Sequence, residues 1–380
     1  MRGNYMRILL TGGGTGGHIY PALALYRHLV ENYDREFDFL YVGTSQGLEQ
    51  QLIPRENIPF RTVAGAGLSR SLSPKNLTVL GKVAKGIGQS FQILKEFNPH
   101  VVVGTGGYVC GPVVLMAGIM GIPTVIHEQN AFPGVTNKLL ARTVKHICLT
   151  FPEAAKYFAK YKHKITVTGL PIRPQILKAT RTEAIKRLGL TETKKTILVV
   201  GGSRGAKKIN EAMVAVIKEF NNLNQVQILM VTGELGYDDF CSSLAGQGLE
   251  VNNLENIIVK PYLNEMEYAL AASDLIISRA GAASLAEITA LGIPAILIPY
   301  PYAAENHQEY NARSLVDAGG AVMMKDQDLE GQVLLSQIEN LLEQPELLIK
   351  MGRRAKALGK PNAGEMLAQV VLKAAGLQQE

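Results

Sequence analysis

The sequence has no tryptophan, and aromatic residues make up only 6% of its 380 residues. A surface for single-stranded nucleic acid needs a basic stripe interleaved with stacking aromatics. No such stripe occurs, so no nucleic-acid partner is expected. Cysteine is equally scarce: Cys110, Cys148 and Cys241 are odd in number and far apart. That excludes a disulfide framework and a thiolate metal site, and it favours a reducing compartment with buried, inert thiols. Long hydrophobic runs are missing too. The longest apolar stretch, Val109 to Ile126, is broken by Gly111, Pro112, Gly118, Gly121 and Pro123, and reads as helix, turn and strand rather than a membrane span. The N-terminus enters a strand-like run by Arg7, so no secretory leader is expected. Acidic clusters are lacking: Asp326-x-Asp328 is a formal carboxylate pair, but its place ahead of a helical pattern at Leu329 predicts a cap, not a metal site.

What is present is a mildly basic, globular composition. A net charge of +6 suits an anionic partner without choosing among nucleotide, phosphate and acidic lipid. The length predicts two domains. Short, almost wholly apolar runs at Arg7–Thr11, Asp38–Val42, His100–Gly104, Thr124–His127 and His146–Thr150 alternate with helical patterns. A second series follows at Thr196–Val200, Val226–Val231, Ile257–Val259, Asp274–Ser278 and Ala295–Ile298. Such runs between helices mean parallel sheets covered on both faces. Each series opens alike, with strand, glycine-rich turn and amphipathic helix: RILLTGGGTGGHIYPALALYRHLVEN from Arg7 and TILVVGGSRGAKKINEAMVAVIKEF from Thr196. The fold expected is α/β, with two Rossmann-like doubly wound domains facing a cleft. The boundaries are drawn at 1–168, 169–359 and a last helical segment, 360–380, returning to the first domain.

The first turn, Gly12 to His18 (GGGTGGH), puts glycines and free amide groups where an anion can approach. It lacks the lysine of a nucleotide-triphosphate loop, and no acidic residue closes the second strand as a dinucleotide site requires. His18 sits at a helix N-terminus, which disfavours imidazolium and suits a general base; a purely loop-orienting histidine is the alternative. A second anion-ready turn, Gly104-Thr105-Gly106-Gly107-Tyr108, follows another strand, and the two form a candidate diphosphate cradle. The polar run His127-Glu128-Gln129-Asn130 at a strand's carboxyl end is costly unless it faces a site. In the second half, Ser203 follows a strand, and the small residues around Ala282, Ala283 and Ser284 open a helix carrying Glu287, placed to accept ribose hydroxyls. The stretch Leu77, Leu80, Val83 and Ile87, interleaved with Lys82 and Lys85, has the pattern of a helix lying on an anionic bilayer; an apolar stripe turned to the core is the alternative.

In order along nearly the whole chain, GGGTGGH, GTGGYVCGP, HEQNAFPGVTNKLLA, GLPIR, GGSRGA and SRAGAASLAEITALGIPAILIPYP with ENHQEYNA resemble the MurG family of peptidoglycan glycosyltransferases. The resemblance implies the two-domain GT-B fold. It also implies an inverting, metal-independent transfer of N-acetylglucosamine from UDP-N-acetylglucosamine to lipid I on the cytoplasmic face of the membrane, with no cofactor. It places Glu287 on the ribose, Ala282 to Ser284 at the diphosphate or the sugar, Ser203 beside the phosphates, Leu263 at the uracil, and His307 and Gln308 at the sugar. Asn130, Arg173, Thr15, Gly16 and Gly17 stand near the donor. Gly13, Gly14, Thr15, Gly106, Gly107 and Tyr108 take the acceptor diphosphate, with His18 or Glu128 as base. Anionic inner-leaflet lipids are the implied docking partner. Three positions depart from the family pattern: Leu170 for asparagine, Arg204 for glutamine, and His307 for the first of two glutamines. A transferase with another lipid acceptor and a UDP-N-acetylglucosamine epimerase remain the rival readings.

Overall fold

The computed structural model describes residues 5–65, 75–202, 205–221 and 223–377, without the side chains of 75–80. The chain divides into two compact units, one of residues 1–171 with 362–380, the other of 172–361. In the first, seven strands form one parallel sheet: β1 (Tyr5–Thr11), β2 (Glu36–Gly43), β3 (Phe60–Thr62), β4 (Val101–Gly104), β5 (Thr124–Glu128), β6 (His146–Leu149) and β7 (Ile165–Val167), in the order β3-β2-β1-β4-β5-β6-β7. In the second, β8 (Lys195–Val200), β9 (Val226–Val231), β10 (Ile257–Lys260), β11 (Leu275–Ser278), β12 (Ala295–Leu297) and β13 (Ala321–Met323) run β10-β9-β8-β11-β12-β13. Both orders reverse beside the first strand of the unit, the switch point at which doubly wound sheets bind ligands beyond their carboxyl ends. The architecture is two parallel α/β sheets, a GT-B fold.

The apolar runs are continuous because each sheet is covered twice. On β1 successive side chains alternate faces: Ile8 and Leu10 join the core that holds Ala22, Leu25 and Leu29, while Leu9 joins the core with Val102, Val113 and Val114. The edge strands β3, β7 and β13 are missing from the sequence reading. Each has three residues and at most one of them buried, whereas the equally short β12 is wholly buried and shows as an apolar run.

The last helix, Ala363–Ala374, packs on the helix Gly16–Asn32 and buries Leu367, Ala368, Val371 and Ala374 in the core of the first unit. Its polar edge is tied as well. Glu365 accepts from the Tyr33 hydroxyl at 2.8 Å and meets His28 Nε2 at 3.0 Å. The Lys145 ammonium donates to Ala374 O at 3.1 Å. Leu367→Ala is therefore expected to destabilise the first unit by about 2–5 kcal/mol, the cost of a methyl-lined cavity in a tight core. A shift in its urea midpoint measures this, and an unchanged midpoint refutes the packing role.

The Asp326-x-Asp328 pair is not a helix cap. The next helix begins at Gly331 behind Glu330, and the Asp326 carboxylate pairs instead with Arg279 Nη1 at 2.5 Å. No group of three or more metal-capable side chains occurs among the described residues.

Candidate active-site elements in each unit

At the carboxyl end of the first sheet, the two glycine turns touch backbone to backbone. Gly13 N–H donates to Gly106 O at 3.3 Å. Gly107, at φ +82°, lies so close that a Cβ there would fall 2.3 Å from Gly13 O. The left-handed conformation and the lack of room both demand glycine. Thr105 Oγ1 bonds His18 O at 2.6 Å, and Cys110 Sγ bonds Thr11 O at 3.0 Å. The thiol is pushed up to about 12 by burial, so it is a tie between the turns and not a nucleophile.

The helix Gly16–Asn32 starts behind Thr15 with no side-chain cap and no acidic residue in its first turn. Its N-terminus is thus open to an anion. His18 is half-buried there. Its Nδ1 lies 3.1 Å from Gly13 O and 3.4 Å from Thr15 Oγ1. A carbonyl oxygen can only accept, so Nδ1 carries the hydrogen and Nε2 the lone pair of the neutral ring. Gly14 and Thr15 are exposed, and Tyr108 lies beside Gly14.

Glu128 behaves differently. It is 2% exposed, and burial pushes its carboxyl up. One oxygen accepts from Asn130 N–H at 3.0 Å, the other from Gly134 N–H at 3.1 Å and Asn137 Nδ2 at 2.8 Å. Glu128 is the organiser of the Gln129–Gly134 turn. His127 is buried and held at about 4, donating through Nε2 to Gly169 O at 2.8 Å. These bonds meet part of the cost of burying the polar run, but Gln129 Oε1 is buried with no hydrogen-bond partner; Asn130 is half-buried at the turn's edge.

In the second unit, the helix Ala282–Leu291 begins behind Gly281 with no side-chain cap and no first-turn acid. Ala282, Ala283 and Ser284 therefore present amide groups lacking an intrahelical partner. One and a half turns on, Glu287 faces Arg173 Nη2 at 3.7 Å, and the same guanidinium reaches Glu267 Oε2 at 4.0 Å. Burial raises Glu287 to about 7; Arg173 opposes this and Glu267 adds to it. Gln308 Oε1 accepts from Ala280 N–H at 3.2 Å and Tyr300 N–H at 2.9 Å, fastening the turn after β11 to the turn after β12. His307 donates through Nδ1 to Ala304 O at 2.6 Å, and burial lowers its ring. The preceding residues Glu305 and Asn306 both sit at positive φ, +55° and +56°. Two consecutive non-glycine residues there store strain, a feature that clusters at binding sites. Leu263 lies half-buried in the turn after β10. Ser203 and Arg204 lie outside the described residues.

The helix Lys75–Phe97 is continuous. Its inner face is Gly86, Ser90, Ile93 and Leu94, all buried; Lys82 and Lys85 are exposed and Val83 and Ile87 half-buried. The side chains of Leu77 and Leu80 lie outside the described residues. Among the described residues no helix is long and apolar enough to cross a membrane.

Sequence reasoning missed two carboxylates. Glu267 carries no pattern. Glu49 had a faint signal, an acid following Gly43 and Gly47 just after β2, and it proves wholly buried against the first glycine turn.

The Glycosyltransferase family 28 N-terminal domain matches residues 8–149, and the C-terminal domain of the same family matches residues 196–367. A protein of Desulforamulus reducens named UDP-N-acetylglucosamine--N-acetylmuramyl-(pentapeptide) pyrophosphoryl-undecaprenol N-acetylglucosamine transferase is 50% identical, covering 94% of this chain and 96% of its own. A protein of the same name from Desulforudis audaxviator is 47% identical over 98% of this chain and 99% of its own. Among solved structures, MurG of Acinetobacter baumannii superposes with a TM-score of 0.77 at 29% identity, over 97% of this chain and 99% of that one. A UDP-GlcNAc 2-epimerase of Neisseria meningitidis reaches 0.67 at 15% identity, over 97% and 100% of the two chains, a likeness of fold alone.

Proposed function

The chain belongs to glycosyltransferase family 28, and on that premise we propose the reaction and the roles of its residues. It transfers N-acetylglucosamine from UDP-N-acetylglucosamine to lipid I, the undecaprenyl-diphosphate-linked muramyl pentapeptide, giving lipid II for peptidoglycan. Identity of 47–50% along nearly the full length with transferases named for this reaction carries the substrate pair.

The muramyl 4-hydroxyl attacks the anomeric carbon as UDP departs, in one inverting displacement. The proton of that hydroxyl passes to His18 Nε2, the nitrogen that the Nδ1 contact leaves as acceptor. Glu128, the alternative base, is walled in by amide donors. The departing diphosphate gains negative charge, which the open N-terminus of the Ala282–Leu291 helix and the Arg173 guanidinium stabilise. Ser203 joins them at the phosphates. Glu287 accepts from the ribose hydroxyls, the Leu263 backbone receives uracil, and Gln308, His307 and Asn130 address the sugar. Thr15, Gly16 and Gly17, at the head of the first helix, are assigned to donor binding, and the paired turns Gly13–Thr15 and Gly106–Tyr108 to the acceptor diphosphate.

Purified protein incubated with radiolabelled donor in detergent tests this reading. Label should reach a short-chain lipid I analogue, and none should be transferred without it. Epimerised sugar appearing from donor alone would overturn the transferase assignment.

A polyprenyl acceptor stays in the bilayer, so the enzyme must come to it. The exposed Lys82 and Lys85, with Val83 and Ile87 beside them and Leu77 and Leu80 on the same helix, are the surface proposed to dock on anionic inner-leaflet lipid from the cytoplasmic side. Each lysine near an anionic surface contributes about 1 kcal/mol. Lys82→Glu with Lys85→Glu is therefore expected to weaken flotation with phosphatidylglycerol vesicles by about tenfold or more. Equal flotation of variant and wild type removes this surface from consideration.

A further inference from the structure

We propose that Glu49 is a positioning residue for His18, acting through the single peptide group that joins Gly13 to Gly14. The inference rests on His18 as the base. At one end of that group Gly14 N–H donates to Glu49 Oε2 at 3.0 Å. At the other, Gly13 O receives His18 Nδ1 at 3.1 Å. The order is carboxylate, amide, imidazole. A carboxylate on the N–H end polarises the amide, which makes its carbonyl oxygen a stronger acceptor. The hydrogen is thereby held on Nδ1 and the lone pair on Nε2. When Nε2 takes the acceptor's proton, the imidazolium is stabilised from behind, as a buried aspartate stabilises the histidine of a hydrolase triad.

The structure goes to some length to seat this carboxylate. Glu49 is 0% exposed, and burying a carboxylate without a cation is costly. None of the ion pairs among the described residues includes it. Three donors hold it instead: Gly14 N–H, Thr44 N–H at 3.0 Å and Thr44 Oγ1 at 2.8 Å. Three glycines make the room, for a Cβ on Gly13, Gly43 or Gly47 would meet the Glu49 side chain at 2.5, 2.5 and 2.1 Å. An apolar side chain would fill the space at less cost, so what the carboxylate holds explains its presence.

Burial keeps two other titratable groups packed on these turns neutral through the relevant range. The Tyr41 hydroxyl, which donates to Gly12 O at 2.8 Å, is pushed well up by burial. The Cys110 thiol, bonded to Gly106, is pushed to about 12. Tyr108 lies against Gly14. Among the described residues, Glu49 is the carboxylate that touches the peptide bearing on His18.

The test is nitrogen-detected NMR of ring-labelled histidine in the full chain, with His18 assigned by its loss in His18→Ala. Glu49→Gln keeps the shape but sets an amide donor against donors. It is expected to lower the His18 titration midpoint by about 0.5–1 on the pH scale, to erode the Nδ1–H tautomer, and to lower kcat by about 3- to 10-fold with KM for the donor unchanged. A folded Glu49→Gln protein whose midpoint and tautomer match wild type overturns the proposal. Should that variant fail to fold, Thr44→Val removes one donor from the carboxylate, which then pulls harder on Gly14 N–H. The midpoint should rise by about 0.2–0.5 on the same scale, and no movement overturns the proposal. If His18→Ala keeps wild-type kcat, the base assignment falls while the ring titration still decides the relay.

Discussion

His18→Ala is expected to lower kcat by about 10²- to 10⁴-fold, the usual loss when a positioned general base is removed, while changing the affinity for UDP by no more than about twofold. The asymmetry follows from where the ring sits. His18 heads the helix of the first unit, tied by Nδ1 to Gly13 O. The groups proposed for UDP, Glu287 and the Ala282–Leu291 N-terminus, belong to the second. Single-turnover rates with a lipid I analogue give the first quantity and calorimetry with UDP the second. A large loss of UDP affinity, with kcat restored at saturating donor, would instead make His18 a donor-binding residue and not the base. Intact turnover would return the search to another base.

Glu287→Gln should weaken UDP binding by about 30- to 100-fold, as expected when a site built to accept two hydroxyl hydrogen bonds loses its charge, and yet make the second unit more stable. The reason is the burial that raises this carboxyl from 4.5 to about 7. An acid whose folded pKa lies above its unfolded one favours folding while protonated. That contribution is complete below about 4.5, is lost as pH rises towards 7, and leaves a penalty above it. A tenfold change in the protonation equilibrium corresponds to about 1.4 kcal/mol, so relieving the penalty is worth about 2–3 kcal/mol at pH 8, or about 4–12 °C in Tm for a domain of this size. At pH 4 the carboxyl is largely protonated in both the folded and the unfolded chain, and the advantage should nearly vanish. The same titration predicts that wild-type affinity for UDP-N-acetylglucosamine, whose diphosphate has no ionisation near neutrality, falls about fivefold between pH 7 and pH 6, since the ionised carboxyl is the better acceptor, whereas the glutamine variant stays flat. A variant that binds weakly but melts at the wild-type temperature at both pH values would show that the buried carboxylate carries no such strain.

Much of this was legible from the chain alone because it depends on neighbours in sequence. The central strands announce themselves as unbroken apolar runs since both faces of each sheet are covered. The two glycine turns mark the first strand of each unit because a close approach of backbone to ligand or to backbone tolerates no Cβ, as Gly107 against Gly13 O illustrates. Those features, with their order along the chain, determine the fold and the family. The edge strands β3, β7 and β13 escaped because they are short and only partly buried, unlike the equally short but wholly buried β12. The assignment of polar side chains escaped for a different reason. Asp326 turns to Arg279 and not to a helix end, Glu128 closes its own turn, and Glu49 lies beneath the first glycine turn. In each case the local pattern offers a carboxylate, but its chemistry is set by which donors other segments bring within about 3 Å and how much water they exclude. Tertiary structure alone decides that, because burial and electrostatic contact are properties of the packed chain and not of any window along it.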